Sequence, residues 1–238
     1  MASTFLTATW KNLIMANYVV DPAVLQPHVP FGTELDYWNG KTYVSLVGFM
    51  FLNTKVLGIP IPFHRNFEEV NLRFYVRYQH EGEWRRGVVF VKEIVPKAAI
   101  TLVANTLYGE HYMTCPMKNS LEETAEKLKV SYSWQYQKQW NSISVTCPNT
   151  PKAIAEGSEA EFITEHYWGY TQLKENKTSQ YEVGHPKWDV YDVTDYNIDC
   201  DYESLYGKEL AQAMATKPVS VFMAKGSEIF VKKGHVIK

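Results

Sequence analysis

Paired cysteines, basic blocks and long apolar runs are all missing from this chain of 238 residues. The three cysteines, Cys115, Cys147 and Cys200, are widely spaced and form no CxxC pair. That argues against a disulfide framework or a cysteine zinc site and points to reduced thiols in a cytoplasmic protein. Lysine and arginine total 24 against 26 acidic residues, a formal net charge of −2. Arg85-Arg86 and Lys232-Lys233 are only isolated doublets. No nucleic-acid partner is expected, because phosphate recognition relies on clustered cations. No apolar run approaches membrane-spanning length and no secretory signal opens the sequence, so no membrane association is expected. The nucleophile elbow, the phosphate and dinucleotide loops and the HExxH zinc motif are also missing. No metal and no cofactor are therefore expected. With no low-complexity linker and no internal repeat, residues 1–238 read as one domain.

What the chain has instead is aromatic side chains, 14% of all residues, with sixteen tyrosines and seven tryptophans. Large rings with one polar end suit sheets and pocket walls. Strand signals dominate the first half. Thr7 to Met15 is the first strand, and Asp21-Pro22 opens a short helix ended by Pro30. Leu35–Trp38 and Thr42–Phe51 flank Asn39-Gly40 as a hairpin. The prolines of Gly58–Pro62 make a loop, since neither can donate to a ladder. Strands follow over Phe67–Tyr78 and Arg86–Val95, then a helix over Lys97–Tyr108 with Ala99, Leu102, Val103, Thr106 and Leu107 at helical spacing. Tyr112–Lys118 is extended, and Leu121–Leu128 shows some helical spacing. Val130–Cys147 reads as strand, turn, strand. Ser158 and Glu161 form a capping box before a helix over Glu159–His166. Gln180–Val183 and Trp188–Val193 are strands, Ser204–Met214 is a helix, and two strands flank Gly226. The sum is α+β, mainly β, with a large antiparallel sheet that is partly closed.

The segment Phe67-Glu68-Glu69-Val70-Asn71-Leu72-Arg73-Phe74-Tyr75-Val76 carries the leading candidate site. Side chains alternate across a strand, so Val70, Leu72, Phe74 and Val76 share one face. Glu69, Asn71, Arg73 and Tyr75 share the other. On an exposed face such a ladder is an ordinary ion-paired surface that contributes little. Inside a closed sheet it is a binding site, because an unpaired buried charge is costly. Lys92, alternating with Phe90 and Ile94 on the next strand, is the expected counterion. A histidine beside a tyrosine, as in His111-Tyr112, suits acid–base work near neutral pH. His166 and His185, each set among aromatics, are candidates for a pocket mouth. Each also fits a structural role at a turn or helix end. No pair has metal-ligand spacing.

Longer stretches carry a resemblance. They are WKNLIMANYVVDPAVLQPHVP, ELDYWNGKTYVSLVGFMF, GIPIPFHRNFEEVNLRFYVRY, GVVFVKEIVPKAAI, HYWGYTQ and YEVGHPKW. Across nearly its whole length the chain resembles the YqjF-like family of uncharacterised bacterial proteins, within the acetoacetate-decarboxylase-like superfamily. The resemblance implies a cone-shaped antiparallel β-barrel with an internal pocket, additional sheet and a few short helices. By analogy it also implies a homo-oligomer. In acetoacetate decarboxylases a lysine forms a Schiff base with a keto acid, and a neighbouring lysine lowers its pKa. Glu69 resembles a carboxylate of that site. The lysine pair has no equivalent here, since alignment brings His111 or Tyr112 to its place. A Schiff-base decarboxylase is therefore not expected unless Lys92 substitutes. The expected function is binding of a small organic acid or carbonyl compound. Arg73 and Asn71 would hold it, with Lys92, His166 and His185 around the ligand. Glu69 with His111 or Tyr112 would move protons if there is lyase-like catalysis. The alternative is a non-enzymatic binding or scaffold protein.

Overall fold

A computed structural model describes residues 3–107 and 109–237. Seven strands close into a ring: β1 (Thr4–Val20), β2 (Thr42–Val56), β3 (Phe67–His80), β4 (Glu83–Val95), β5 (Trp168–Lys174), β6 (Lys177–Gly184) and β7 (Ser220–Lys232). They pair in the order β7-β1-β2-β3-β4-β5-β6. Val183↔Val231 and Gly184↔Phe230 bring β6 back to β7. The ring is antiparallel throughout except at β4–β5, where Trp168 and Gly169 run parallel to Gly87 and Val88. Among the described residues five short α-helices decorate it: α1 (Pro22–Leu25), α2 (Ala98–Leu107), α3 (Glu159–Thr164), α4 (Tyr202–Tyr206) and α5 (Lys208–Ala213). None of the described helices is long and apolar enough to cross a membrane.

The alternation in β3 divides the core in two. Val70, Leu72, Phe74 and Val76 join Leu46 in an outer cluster with Tyr132, Trp134, Ile143 and Val145. These last four come from a four-stranded sheet, Met117–Glu123, Lys127–Tyr136, Gln139–Pro148 and Asp195–Asp199, that covers the ring's outer face. Gly48 permits the close approach, since a Cβ there would lie 2.8 Å from the Tyr132 ring. Inside the ring, Leu13, Phe49, Phe51, Phe67, Tyr75, Val88 and Trp188 form the second cluster. The opposed faces of one strand thus serve two cores, which is why β3 carries no solvent-facing side over Phe67–Val76.

Several local expectations are corrected. The Asn39-Gly40 turn forms, with φ of 49° and 74°, values that suit a type I′ turn. Its arms meet only at Trp38↔Lys41, because Leu35 pairs with Val76 of β3 instead. Leu121–Leu128 is strand, turn, strand, with Leu121 opposite Val130; cross-strand pairing outweighs a weak helical spacing. Ser204–Met214 is two helices, since Gly207 at φ 89° breaks the run, and Asp201 caps the first. The segment around Gly226 is one strand, β7. Ile59–Pro60 adds a short edge pairing to β2. Gly40 has open space around a Cβ position, so Gly40→Ala tests conformation alone. We expect a loss of about 1 kcal/mol in urea denaturation, and an unchanged midpoint would rule out the left-handed geometry.

Candidate active site

A cavity of about 240 Å³ occupies the ring interior and is lined by residues from all seven strands and from α2. Most of its wall is apolar and aromatic: Trp10, Phe49, Phe51, Phe67, Phe90, Trp168 and Trp188. Helix α2 lies over one side with Ala99, Ile100, Val103 and Ala104 against the cavity. Leu102, grouped with the apolar stripe from its spacing, is 68% exposed. The helix covers an opening and does not pack into a full core, so its far side stays wet.

Glu69, Asn71 and Arg73 all line the cavity. Glu69 and Asn71 are each 2% exposed and Arg73 is 9% exposed. The Asn71 amide donates to Glu69 Oε1 at 2.9 Å and the Tyr112 hydroxyl donates to Oε2 at 3.1 Å. Tyr112 reaches Glu69 because its short strand, Tyr112–Thr114, runs parallel to β4 with Tyr112 beside Glu93. Asn105 of α2 fixes it there, accepting from the Tyr112 N–H and donating to its carbonyl. His111 faces solvent, its Nδ1 3.4 Å from the Phe90 carbonyl oxygen. The residue beside Glu69 is therefore the tyrosine.

Lys92 does not face the ladder. A bulge in β4 makes Arg73 pair with Phe90 while Leu72 pairs with Lys92. The extra residue turns every side chain after Phe90 to the other face. Lys92 thus leaves the cavity, donates to the Leu205 carbonyl and lies over the Tyr206 ring. Glu93 comes in instead, buried to 2% exposure and directly across from Asn71. A third carboxyl, Glu110, follows the turn at Gly109 and is buried in the same wall.

Burial in this low-dielectric wall pushes all three carboxyls up. For Glu69 it outweighs the bonds from Asn71 and Tyr112, and with repulsion from Glu110 the pKa rises to about 7. Glu93 is raised well above the ordinary carboxylate range, by burial and then by Glu110 and Glu69. Glu110 is raised by burial, partly offset by the nearby Thr171 and Tyr181 hydroxyls. Tyr112 and Tyr181 are pushed well above the usual phenol range, by burial first and then by these carboxyls. The phenols therefore stay protonated and act as donors.

Arg73 donates to the Ile163 carbonyl at 3.3 Å and lies 5.7 Å from the Tyr75 ring centre. Its Nε has no hydrogen-bond partner. Among the described residues no carboxylate comes within ion-pair distance of it. His166, just beyond α3, also lines the cavity. Its Nε2 lies 3.1 Å from Asp36 Oδ2, which also accepts from Arg86 Nε at 2.6 Å. Burial drives His166 down to about 4, so it is neutral at pH 7. The carboxylate then sets the proton on Nε2, leaving the Nδ1 lone pair without a partner. His185 stacks on Trp188 with ring centres 4.0 Å apart and donates from Nδ1 to the Pro186 carbonyl. It lines the cavity at its aromatic side.

Sequence reasoning missed Glu93, Glu110, Tyr181 and the Asp36–His166 pair. A glutamate inside the apolar run GVVFVKEIV is itself a signal, but simple alternation sends it to the wrong face. Glu110 sits in the same tetrapeptide as His111 and Tyr112 without any pattern of its own.

The structural comparisons agree on one fold. Acetoacetate decarboxylase from Legionella pneumophila superposes with a TM-score of 0.69 at 14% identity, over 100% of this chain and 88% of that one. The enduracididine biosynthesis enzyme MppR, solved with pyruvate, gives 0.69 at 12% identity, over 100% of this chain and 92% of that one. An acetoacetate decarboxylase-like enzyme from Sphingomonas wittichii RW1 gives 0.65 at 14% identity, over 99% of this chain and 94% of its own. At such identities the likeness establishes the fold alone. The uncharacterized protein YqjF of Bacillus subtilis (strain 168) is 28% identical over 182 residues, 76% of this chain and 72% of that protein. The family model DUF2071, described as an uncharacterized conserved protein, matches residues 7–228. The chain belongs to this YqjF-like DUF2071 family and has the acetoacetate-decarboxylase-like fold.

Proposed function

We propose that the ring cavity binds a small organic acid or carbonyl compound, with Arg73 holding its carboxylate and Asn71 assisting. The observation that carries this reading is a guanidinium nine-tenths buried against a cavity with no carboxylate partner. Such a charge is costly unless an anion meets it. A cavity of about 240 Å³ suits a small metabolite, below the size of drug-binding pockets. A neighbour of the same fold is solved with pyruvate, which is consistent with a 2-oxo acid.

Catalysis, where it occurs, is proton transfer or lyase-like chemistry through Glu69 and Tyr112. A carboxyl raised to about 7 can both give and take a proton near neutral pH. Among the described residues no lysine lines the cavity, which argues against a reaction through an imine. The second reading, a binding protein without turnover, draws on that same lack of a nucleophile and is favoured by saturable binding with no product. In both readings we take residues 1–238 as one domain of a homo-oligomer, with the free cysteines in a reducing cytoplasm.

The test is a thermal-shift titration with pyruvate and short alkanoates on wild type and Arg73→Met. Wild type should be stabilised in a saturable way. Arg73→Met should lose roughly tenfold to a hundredfold in affinity while the empty variant is as stable as wild type or more so, because a buried unpaired charge is gone. Equal affinities in the two proteins would end the role of Arg73.

A further inference from the structure

The cavity holds a second set of unmet groups, and they are of one chemical kind. Glu93 Oε2 is buried with no hydrogen-bond partner. Asn71 Oδ1 is also buried and unpartnered. Its identity as the oxygen follows from the other amide atom, which donates to the Glu69 carboxyl. Glu110 completes the group. Asn71 Oδ1 and Glu93 Oε2 meet no hydrogen-bonding group and sit directly across from one another as register partners, while Glu110 is held beside the Thr171 and Tyr181 hydroxyls. An unmet buried acceptor costs as much as an unmet donor. Water is one way to meet them, but the accumulation of carboxyl groups favours a cation.

Arg73 lies on the same strand two positions beyond Asn71. At about 3.3 Å per residue, its backbone is roughly 7 Å along the strand from the Asn71–Glu93 pair and roughly 13 Å from Glu69. Anion-seeking and cation-seeking ends therefore face one small cavity at a separation that a single short molecule can span.

We infer that the cavity takes a zwitterion: a short ω-amino carboxylate whose carboxylate meets Arg73 and whose ammonium meets Asn71, Glu93 and Glu110. This rests on the reading that Arg73 is the carboxylate site. An ammonium has three donors to offer to the convergent acceptors. Its charge also lets a carboxyl in the group ionise without the cost of standing alone in the wall. The aromatic wall, Trp10, Phe49, Phe51 and Trp188, packs the methylene chain between the charged ends. The separation suits a chain of about four to six carbons.

Isothermal titration of the whole protein with pentanoate and with 5-aminopentanoate separates the two ideas. The amino acid should bind at least roughly tenfold tighter than the plain acid. In Glu93→Gln, and independently in Glu110→Gln, the two probes should come within about threefold of each other. Circular dichroism melts confirm that each variant is folded, and a folded member of the pair decides the question if the other is not. Pentanoate binding as well as 5-aminopentanoate, or better, overturns the zwitterion and leaves Arg73 as a carboxylate site. If neither probe, nor its homologues one carbon shorter and longer, binds wild type below roughly 10 mM, the carboxylate site falls as well.

Discussion

Between about pH 4.5 and pH 8 the Glu69→Gln variant should gain about 3 kcal/mol of stability relative to wild type, seen as a relative rise of roughly 6–12 °C in the melting midpoint. The sign follows from burial. Glu69 has a folded pKa of about 7 against an ordinary value of 4.5. Between those values the folded protein binds more protons than the unfolded chain. Its stability contribution is therefore complete below pH 4.5 and is lost as pH rises through 7. Glutamine has no charge to desolvate and loses nothing over that range. His166 works in the opposite direction, with a folded pKa of about 4 against 6.5, so its contribution is lost as pH falls from 6.5 towards 4. It is present in both proteins and cancels in the difference. Glu93 and Glu110, also raised, extend the alkaline loss in both proteins, less so for Glu93 in the variant, where Glu69 no longer repels it. Melting curves at half-unit pH intervals provide the comparison. Parallel profiles would mean that Glu69 is solvated in the folded protein and is not buried in the cavity wall.

Asp36→Ala should destabilise the protein by roughly 2–4 kcal/mol, the loss of two hydrogen bonds discounted for the partly exposed Arg86. One carboxylate oxygen serves both His166 and Arg86, and the side chains of Asp36 and His166 are only 6% and 1% exposed. Burial alone would push Asp36 up, but the bonds from His166 and Arg86 prevail and hold it below the usual carboxylate range. Without it, His166 is left with neither ring nitrogen partnered, and Arg86 remains against the Phe162 ring at 4.8 Å without its direct carboxylate partner. Asp36→Asn keeps an acceptor for one of the two donors and should cost less, roughly 1–3 kcal/mol. Urea denaturation of the two variants measures the ranking. Nitrogen chemical shifts of His166 report whether the proton leaves Nε2 when the carboxylate is gone. A loss below about 1 kcal/mol for Asp36→Ala would show that the pair is solvated and holds nothing in place.

These two results draw on different layers of information. Glu69 was legible: the period of two in Glu69–Tyr75 put it with Asn71 and Arg73 on one face, and the ring adopts that split. Asp36 was not, because its partners His166 and Arg86 lie on separate elements that meet only through tertiary pairing. Lys92 marks the boundary. Alternation from Phe90 puts it beside the ladder, and a single extra residue at the bulge sends it to the outer face while Glu93 takes its place. A bulge is fixed by how two strands pair, so one strand's sequence gives little sign of it.

By itself the sequence determined the strand-rich class, the polar face of β3, the turn at Asn39-Gly40 and, through resemblance, the family. Each of these rests on local pattern: side-chain alternation, backbone preference, or matched motifs. Only the tertiary structure decided that Glu69, Asn71 and Arg73 look into the ring cavity. It also decided that Tyr112 and not His111 meets Glu69 and that three carboxyls converge there. Those facts depend on ring closure, on the β4 bulge and on the turn at Gly109, which bring together residues far apart in the chain. The charge balance of the cavity belongs to that assembly, and no single segment carries it.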